Sequence, residues 1–449
     1  MLRHCVLFLV VLMLPLDSRA ATARVEPNEV LVGSFRGWGT SLCWWANVIG
    51  GLKNHEEFAD AIFTDLGLTI VRYNIGGGEN PALPTLPSDP RARMEGFQDK
   101  DRNWNFEADA NQRRMLCAAV ARGVEHVDAF ANSPPWWMTV SKSVTGNLNP
   151  LANNLRKDAE EDFANYLVTA MAALEKQDGV RFDTITPMNE PLSPWWLGNR
   201  QEGCHMNAEQ QVRVLDHLHA ALEKAKLSVG LVAPETFSTD EAIRALNEYP
   251  ESTRSRLRAI ATHGYDTRKA SELRAAAGNT PIWLSEHGDS DASGMETARA
   301  ILEDLHALHF EEWVYWQAVE PDNGWGLIVN ALDGKSTEWK TTPRYDVLRQ
   351  FTKFIRPGSR IVSTGDPDSI AALSSDGNSL AIVALNDRES PEPFTVDLSK
   401  TDFQAEEATA VRTSPTERFA NQPSLRIEHG RLDTTLPPKS VTTFVISKP

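Results

Sequence analysis
An α/β chain built as a closed (β/α)8 TIM barrel with an attached β-sandwich is the fold the sequence predicts, and three observations predict it. Between residues 35 and 356, eight β-prone runs alternate with amphipathic helical stretches. Such alternation makes a parallel sheet, and a count of eight closes it into a barrel. From residue 357 the helical period vanishes and short strands follow one another between turn signals, the pattern of two packed antiparallel sheets. At 449 residues the chain exceeds what one hydrophobic core supports, so a barrel with an appendage fits its size.

The first 23 residues, MLRHCVLFLVVLMLPLDSRAATA, read as an export signal. They have a basic start (Arg3, His4), an apolar run from Cys5 to Leu16, and small residues offering cleavage after Ala20 or Ala23. The run is too short for a membrane span. Nothing later in the chain reaches spanning length, so a secreted or periplasmic protein is expected. Residues 24–34 have no barrel role and are expected to lend a strand to the sandwich. Barrel strands are expected within SFRGWGTS (34–41), TIVRYNIGGG (69–78), VEHVDAFANSPPWWM (124–138) and FDTITPMNEP (182–191). The remaining four fall within LSVGLVAPE (227–235), RAIATHGY (258–265), TPIWLSEHGDSD (280–291) and EEWVYWQAVE (311–320). Between them HEEFADAIFTDLG, DANQRRMLCAAVARG, DFANYLVTAMAALEK, AEQQVRVLDHLHAALEKA and METARAILEDLHAL repeat apolar residues at three and four, the helical period. Gly67, Gly123 and Gly179 stand where helices should stop. TPRYDVLRQFTKFI (342–355) closes the barrel, and residues 357–449 form the sandwich.

A net charge of −16 argues against nucleic acid or an anionic membrane as partner. Once the leader is removed, Cys43, Cys117 and Cys204 remain, too few for a disulfide framework although one bridge is possible. Cys204–His205 and Glu286–His287 lack metal-ligand spacing, and no cofactor is implied. Gly76–Gly77–Gly78 has no following Lys-Ser/Thr, so a tight βα turn explains it better than a phosphate loop. Several of the thirteen tryptophans are adjacent in sequence (Trp44–Trp45, Trp136–Trp137, Trp195–Trp196). Neighbouring indoles on loops are hard to bury together, and their flat apolar faces suit sugar rings.

Working residues of such barrels sit at the C-terminal ends of the strands. Seven of the eight windows supply candidates: Trp38; Arg72 and Asn74; Trp136 and Trp137; Asn189 and Glu190; His263 and Tyr265; Glu286 and His287; and Trp316. Glu190 and Glu286 each follow an apolar β-run, on strands three apart in the ring. Facing one another across the mouth, they form the pair that glycoside hydrolysis needs: one gives a proton to the leaving oxygen, while the other attacks or activates water.

TPMNEP and WLSEHGDSDASG resemble the acid/base and nucleophile segments of glycoside hydrolase family 30, in clan A. RGWGTSLCWWA, VRYNIGGGENP, ANSPPWWMT, EGC and YDVLRQFTKFIRPGSRI add to the likeness, which spans roughly residues 30–365. The tandem Trp after GTS, the DANQRR segment and the PWW…NRQEGC run are most similar to the endo-β-1,6-galactanase subgroup. The resemblance implies Glu190 as acid/base, Glu286 as nucleophile and a retaining mechanism on a polysaccharide or oligosaccharide; a monomer is expected, a state that no motif here fixes. It leaves open a β-1,6-glucanase or glucosylceramidase-like specificity. A non-catalytic carbohydrate-binding protein is the alternative from another class, and retention of both acids speaks against it. His287 departs from the family pattern, where a Tyr is expected after the nucleophile. On these roles Asn189 can donate to the sugar 2-hydroxyl, and Arg72 and Tyr265 can hold Glu286 ionised. His263 fits a structural histidine or a sugar contact equally. Trp316 is expected to floor the reactive subsite. Trp136, Trp137, Trp195 and Trp196 fit neighbouring sugar platforms or simple packing. Pro187 and Pro191 should stiffen the exit of the fourth strand around Glu190.

Overall fold
The computed structural model of the protein describes residues 21–87, 89, 92–322 and 324–448. Most of the expected export segment, residues 1–20, lies outside the described residues. Eight parallel strands close the barrel: β1 (Gly37–Ser41), β2 (Ile70–Asn74), β3 (His126–Phe130), β4 (Thr184–Thr186), β5 (Gly230–Ser238), β6 (Leu257–Asp266), β7 (Ile282–His287) and β8 (Glu312–Gln317). Each lies at one of the eight expected windows, and β8 pairs with β1 to complete the ring. Helices Ala110–Val120, Glu160–Asp178, Ala208–Ala225, Met295–Leu308 and Pro343–Thr352 wrap it, joined by Thr239–Glu248 and Ala270–Ala277. Ser238 caps Thr239–Glu248 by accepting the Glu241 N–H at 3.3 Å.

Period-two alternation decides which side chains enter the barrel. In β1, Ser41 faces inward and bonds Arg72. Trp38, three residues earlier, therefore faces the surrounding helical layer. It is fully buried beside Phe35, Phe310, Trp313 and Phe351, and its indole N–H donates to the Ile355 carbonyl at 2.8 Å. The expectation of Trp38 as a substrate contact is corrected: it packs the barrel wall against the closing helix. Deeper in the barrel, Arg36 grips Asp128 with both terminal nitrogens at 2.9 and 2.8 Å and also pairs with Glu312, its guanidinium lying 4.2 Å over Trp283.

Two sheets form the second unit. Ala21–Arg24, Glu392–Asp397 and Arg431–Leu436 make one; the other runs from Glu417–Asn421 through Glu407–Ser414, Ser440–Ser447, Ser379–Asn386, Ser369–Leu373 and Arg360–Val362 to Val30–Val32. The larger sheet is apolar on both faces, as strand SLAIVALN (379–386) illustrates. Leu380, Ile382 and Ala384 join Phe394, Val396 and Phe444 between the sheets, while Val383 and Leu385 belong to the core shared with the barrel. Ala23 is fully buried between the sheets. Of the two cleavage positions considered, only the one after Ala20 leaves its strand whole. Arg299 bridges the units, bonding Asp387 at 2.7 Å and Asp368 at 3.0 Å. Cys43, Cys117 and Cys204 are free thiols.

Candidate active site
Arg72, buried on β2, organises the barrel mouth. Nη1 donates to Ser41 Oγ at 3.0 Å and to Glu286 Oε2 at 2.9 Å; Nη2 donates to Glu235 Oε1 at 2.8 Å and Asn189 Oδ1 at 3.3 Å. The guanidinium plane rests 4.1 Å over Phe130. Glu286, next to last in β7, is almost fully buried, and its Oε1 accepts the Tyr265 hydroxyl at 2.8 Å. Burial raises the Glu286 pKa; the charges of His263 and Arg72 and the Tyr265 hydrogen bond oppose it, with the balance still upward. Because both oxygens accept from fixed donors, the ionised carboxylate is the form these contacts satisfy.

Glu190 does not end a strand. β4 stops at Thr186, and the chain continues through Pro187 and Asn189 to place Glu190 with φ +43°, a left-handed conformation costly for a residue with a Cβ. Three main-chain anchors hold it. Its N–H donates to the Glu235 carbonyl at 2.8 Å, while its own carbonyl accepts the Trp195 indole N–H at 2.9 Å and the Ser193 N–H at 3.1 Å. The Pro191 carbonyl accepts the Met206 N–H at 2.9 Å, pinning the loop's far side. The side chain of Glu190 reaches His263, whose Nδ1 lies 3.2 Å from Oε1.

His263 is neither an isolated structural histidine nor a sugar contact. It is fully buried, with Nδ1 also 3.6 Å from Glu286 Oε1 and Nε2 3.7 Å from Glu235 Oε1. Burial alone would lower its pKa, but the charge of Glu286 and the approach of Glu190 and Glu235 outweigh this and push it up to about 10. Glu190, His263 and Glu286 each place one ligand-type atom within 4.8 Å of the others. Although this spacing could hold a cation, Arg72 and a His263 whose pKa is raised already bring positive charge to the carboxylates.

The other expected site residues divide. Asn74 is fully buried and spent internally: Nδ2 donates to Glu202 at 3.1 Å and Oδ1 accepts the Asn132 N–H at 3.2 Å. Trp195 is also buried, its ring lying on Gly203, so its expected role as a sugar platform is corrected to that of a clamp on the Glu190 loop. Its neighbour Trp196 is the open one, 56% exposed. Trp136 is half-buried against Leu86, Ala92 and Val144. Trp137 is half-buried on the main core, its indole N–H reaching the Gln98 carbonyl at 3.4 Å. Trp316 is half-buried, edge-on to Trp44 at 6.0 Å, beside Arg72's partner Phe130. His287 lies behind Tyr265, with Nδ1 3.0 Å from the Gly264 carbonyl.

Four residues of the site were not singled out from sequence. Glu235 ends LSVGLVAPE, an apolar β-run followed by a carboxylate, the same signal that marked Glu190 and Glu286. Phe237 and Trp325 flank Tyr265 with ring centroids 5.2 and 5.9 Å away, and both keep more than a third of their surface exposed. Glu202, from the EGC segment, is pushed up to about 8 by burial, against the bonds from Asn74 and the Gly77 N–H. Gly77 itself has no room for a side chain, since a Cβ would sit 2.6 Å from the Pro134 carbonyl.

Residues 23–254 match the sequence pattern described as O-glycosyl hydrolase family 30. The chain is also 30% identical to the endo-β-1,6-galactanase of Hypocrea rufa, over 95% of this chain and 94% of that one. The chain belongs to glycoside hydrolase family 30. As a family 30 member it is an O-glycosyl hydrolase, acting on glycans through a barrel of the expected kind. It is 23% identical to an exo-β-1,6-galactobiohydrolase of Bifidobacterium longum subsp. longum, over 86% of this chain and 35% of that larger protein. A crystal structure of a conserved exported protein from Bacteroides fragilis shares the fold, with a TM-score of 0.83 at 22% identity, covering 94% of this chain and 99% of that one. No helix among the described residues is long and apolar enough to cross a membrane.

Proposed function
We propose that this family 30 enzyme is an exported, retaining endo-β-1,6-galactanase in which Glu286 is the nucleophile and Glu190 the acid/base. The observation that carries the mechanism is the approach of the two carboxylates, with one oxygen of each within 4.8 Å. Retaining pairs stand about 5–5.5 Å apart, whereas inverting pairs need about 6.5–9.5 Å to admit water between them.

In the first step Glu190 gives its proton to the glycosidic oxygen as Glu286 attacks the anomeric carbon. The C–O bond breaks, the leaving chain departs as an alcohol, and the sugar is held as an ester on Glu286. In the second step Glu190, now ionised, takes a proton from water as that water attacks the same carbon, and Glu286 leaves as a carboxylate. Two inversions restore the starting anomer. Asn189 supports the reactive sugar: its Oδ1 is engaged by Arg72, which leaves Nδ2 as the donor for the 2-hydroxyl. Trp316 floors that subsite, and Trp136, Trp137 and the exposed Trp196 serve sugars beyond it.

The sugar, the linkage and the endo mode rest on the Hypocrea rufa relative and on the subgroup motifs, and export rests on the leader. The test is a product profile on β-1,6-galactan, β-1,6-glucan, xylan and glucosylceramide, with NMR of the first anomer released. Galacto-oligosaccharides with retained configuration are expected. Release of monosaccharide alone overturns the endo mode, faster cutting of β-1,6-glucan overturns the galactose assignment, and the inverted anomer overturns the mechanism.

A further inference from the structure
Glu235 makes and breaks no bond in the steps above, yet it touches both cations of the site. Its Oε1 accepts from Arg72 Nη2 at 2.8 Å and stands 3.7 Å from His263 Nε2. Its carbonyl receives the Glu190 N–H at 2.8 Å, and its own backbone, like that of Glu190, is left-handed, with φ +59°. The carboxylate is buried. Burial alone would raise its pKa, but Arg72 and His263 outweigh that and hold it below the usual range.

The charged groups facing it are Arg72 from β2, Glu190 from the loop after β4, His263 from β6 and Glu286 from β7. Tyr265 and Cys43 lie beside Glu286 and Arg72, Glu241 lies near Glu190 and His263, and the Arg36–Asp128–Glu312 group lies deeper in the barrel. Three carboxyls thus share two cations. The set is neutral when one carboxyl is protonated, and the first step of hydrolysis needs that proton on Glu190.

We propose that Glu235 is a positioning residue whose charge offsets that of Arg72 and His263, so that the proton of the cluster stays on Glu190. The inference rests on the roles proposed for Glu190 and Glu286. The sign is fixed by electrostatics: removing the Glu235 charge makes both other carboxyls easier to ionise and His263 easier to deprotonate.

The test has two arms. In the wild-type protein, the His263 imidazole is followed by NMR from pH 5 to 9, assigned with His263→Asn; no titration is expected below pH 8. This arm needs no substrate, so it stands even if every glycan of the panel fails. In the second, the pH profile of kcat/KM is compared for wild type, Glu235→Gln and Glu235→Asp on whichever panel substrate is cleaved. Both limbs should move to lower pH by about one unit in Glu235→Gln and return towards wild type in Glu235→Asp. A wild-type His263 that titrates between pH 6 and 7, or a Glu235→Gln enzyme that slows with both limbs unmoved, overturns the proposal. If Glu235→Gln does not fold, the wild-type titration decides.

Discussion

Gly203→Ala should disable the acid/base without touching it. A Cβ at position 203 would lie 2.0 Å from Cε3 and 2.2 Å from Cδ2 of Trp195. Carbon atoms need about 3.5 Å, so the indole must retreat by roughly 1.5 Å. It cannot do so alone. Its ring N–H holds the Glu190 carbonyl, its main-chain N–H donates to the Pro150 carbonyl at 3.1 Å, and its own carbonyl accepts the Asn147 N–H at 2.9 Å. The displacement therefore passes to Glu190. Misplacing a reacting group by about 1 Å costs about 100-fold in rate, and overpacking a filled site costs about 1–3 kcal/mol of stability. The assay is kcat/KM, which reports the first step, on β-1,6-galactan and on an activated aryl β-galactoside whose leaving group needs no proton. The expected result is a loss of about 100-fold on the polymer, less than 10-fold on the aryl glycoside, and a lower Tm. Equal losses on both substrates, or wild-type kinetics on both, would refute the coupling of Trp195 to Glu190.

Glu286→Ala should abolish turnover on every substrate, because nothing replaces the attacking group, while Glu190→Ala should keep first-step activity on the activated aryl glycoside and lose it on polysaccharide; pre-steady-state release of the aryl group distinguishes the two, and equal losses of Glu190→Ala on both substrates would refute the assignment of roles. Trp38→Ala should cost about 3–5 kcal/mol of stability, read by denaturant unfolding, with KM unchanged at temperatures where the variant stays folded; a raised KM would return Trp38 to the substrate.

The barrel was legible because its signal is periodic and repeated. Eight apolar β-runs separated by stretches of three-and-four spacing admit few other architectures, and the rule that chemistry sits at the strand ends then narrows the search to a few residues per strand. That rule reached Arg72, Glu190, His263, Tyr265 and Glu286, which the fold brings together. It failed where position along a strand was mistaken for position in space. Trp38 occupies an expected window but alternates to the outer face. Asn74 ends its strand yet is consumed by Glu202, and Trp195 is closed over by Gly203. Glu235 obeyed the same rule as the two named acids and was passed over, because the resemblance supplied a complete pair without it.

The sequence by itself determined the fold class, the family and the chemical type of the site, since these depend on residue kind and spacing along the chain. Only the tertiary structure decided how charge is shared. Whether His263 is a structural residue, a sugar contact or a buried imidazolium depends on three carboxylates contributed by the loop after β4 and by β5 and β7. In sequence Glu190, Glu235 and Glu286 are separated by tens of residues; in space they surround one ring. Electrostatic effects fall with distance through the folded protein, not with separation along the chain, so no pattern of neighbours in the sequence could have carried that information.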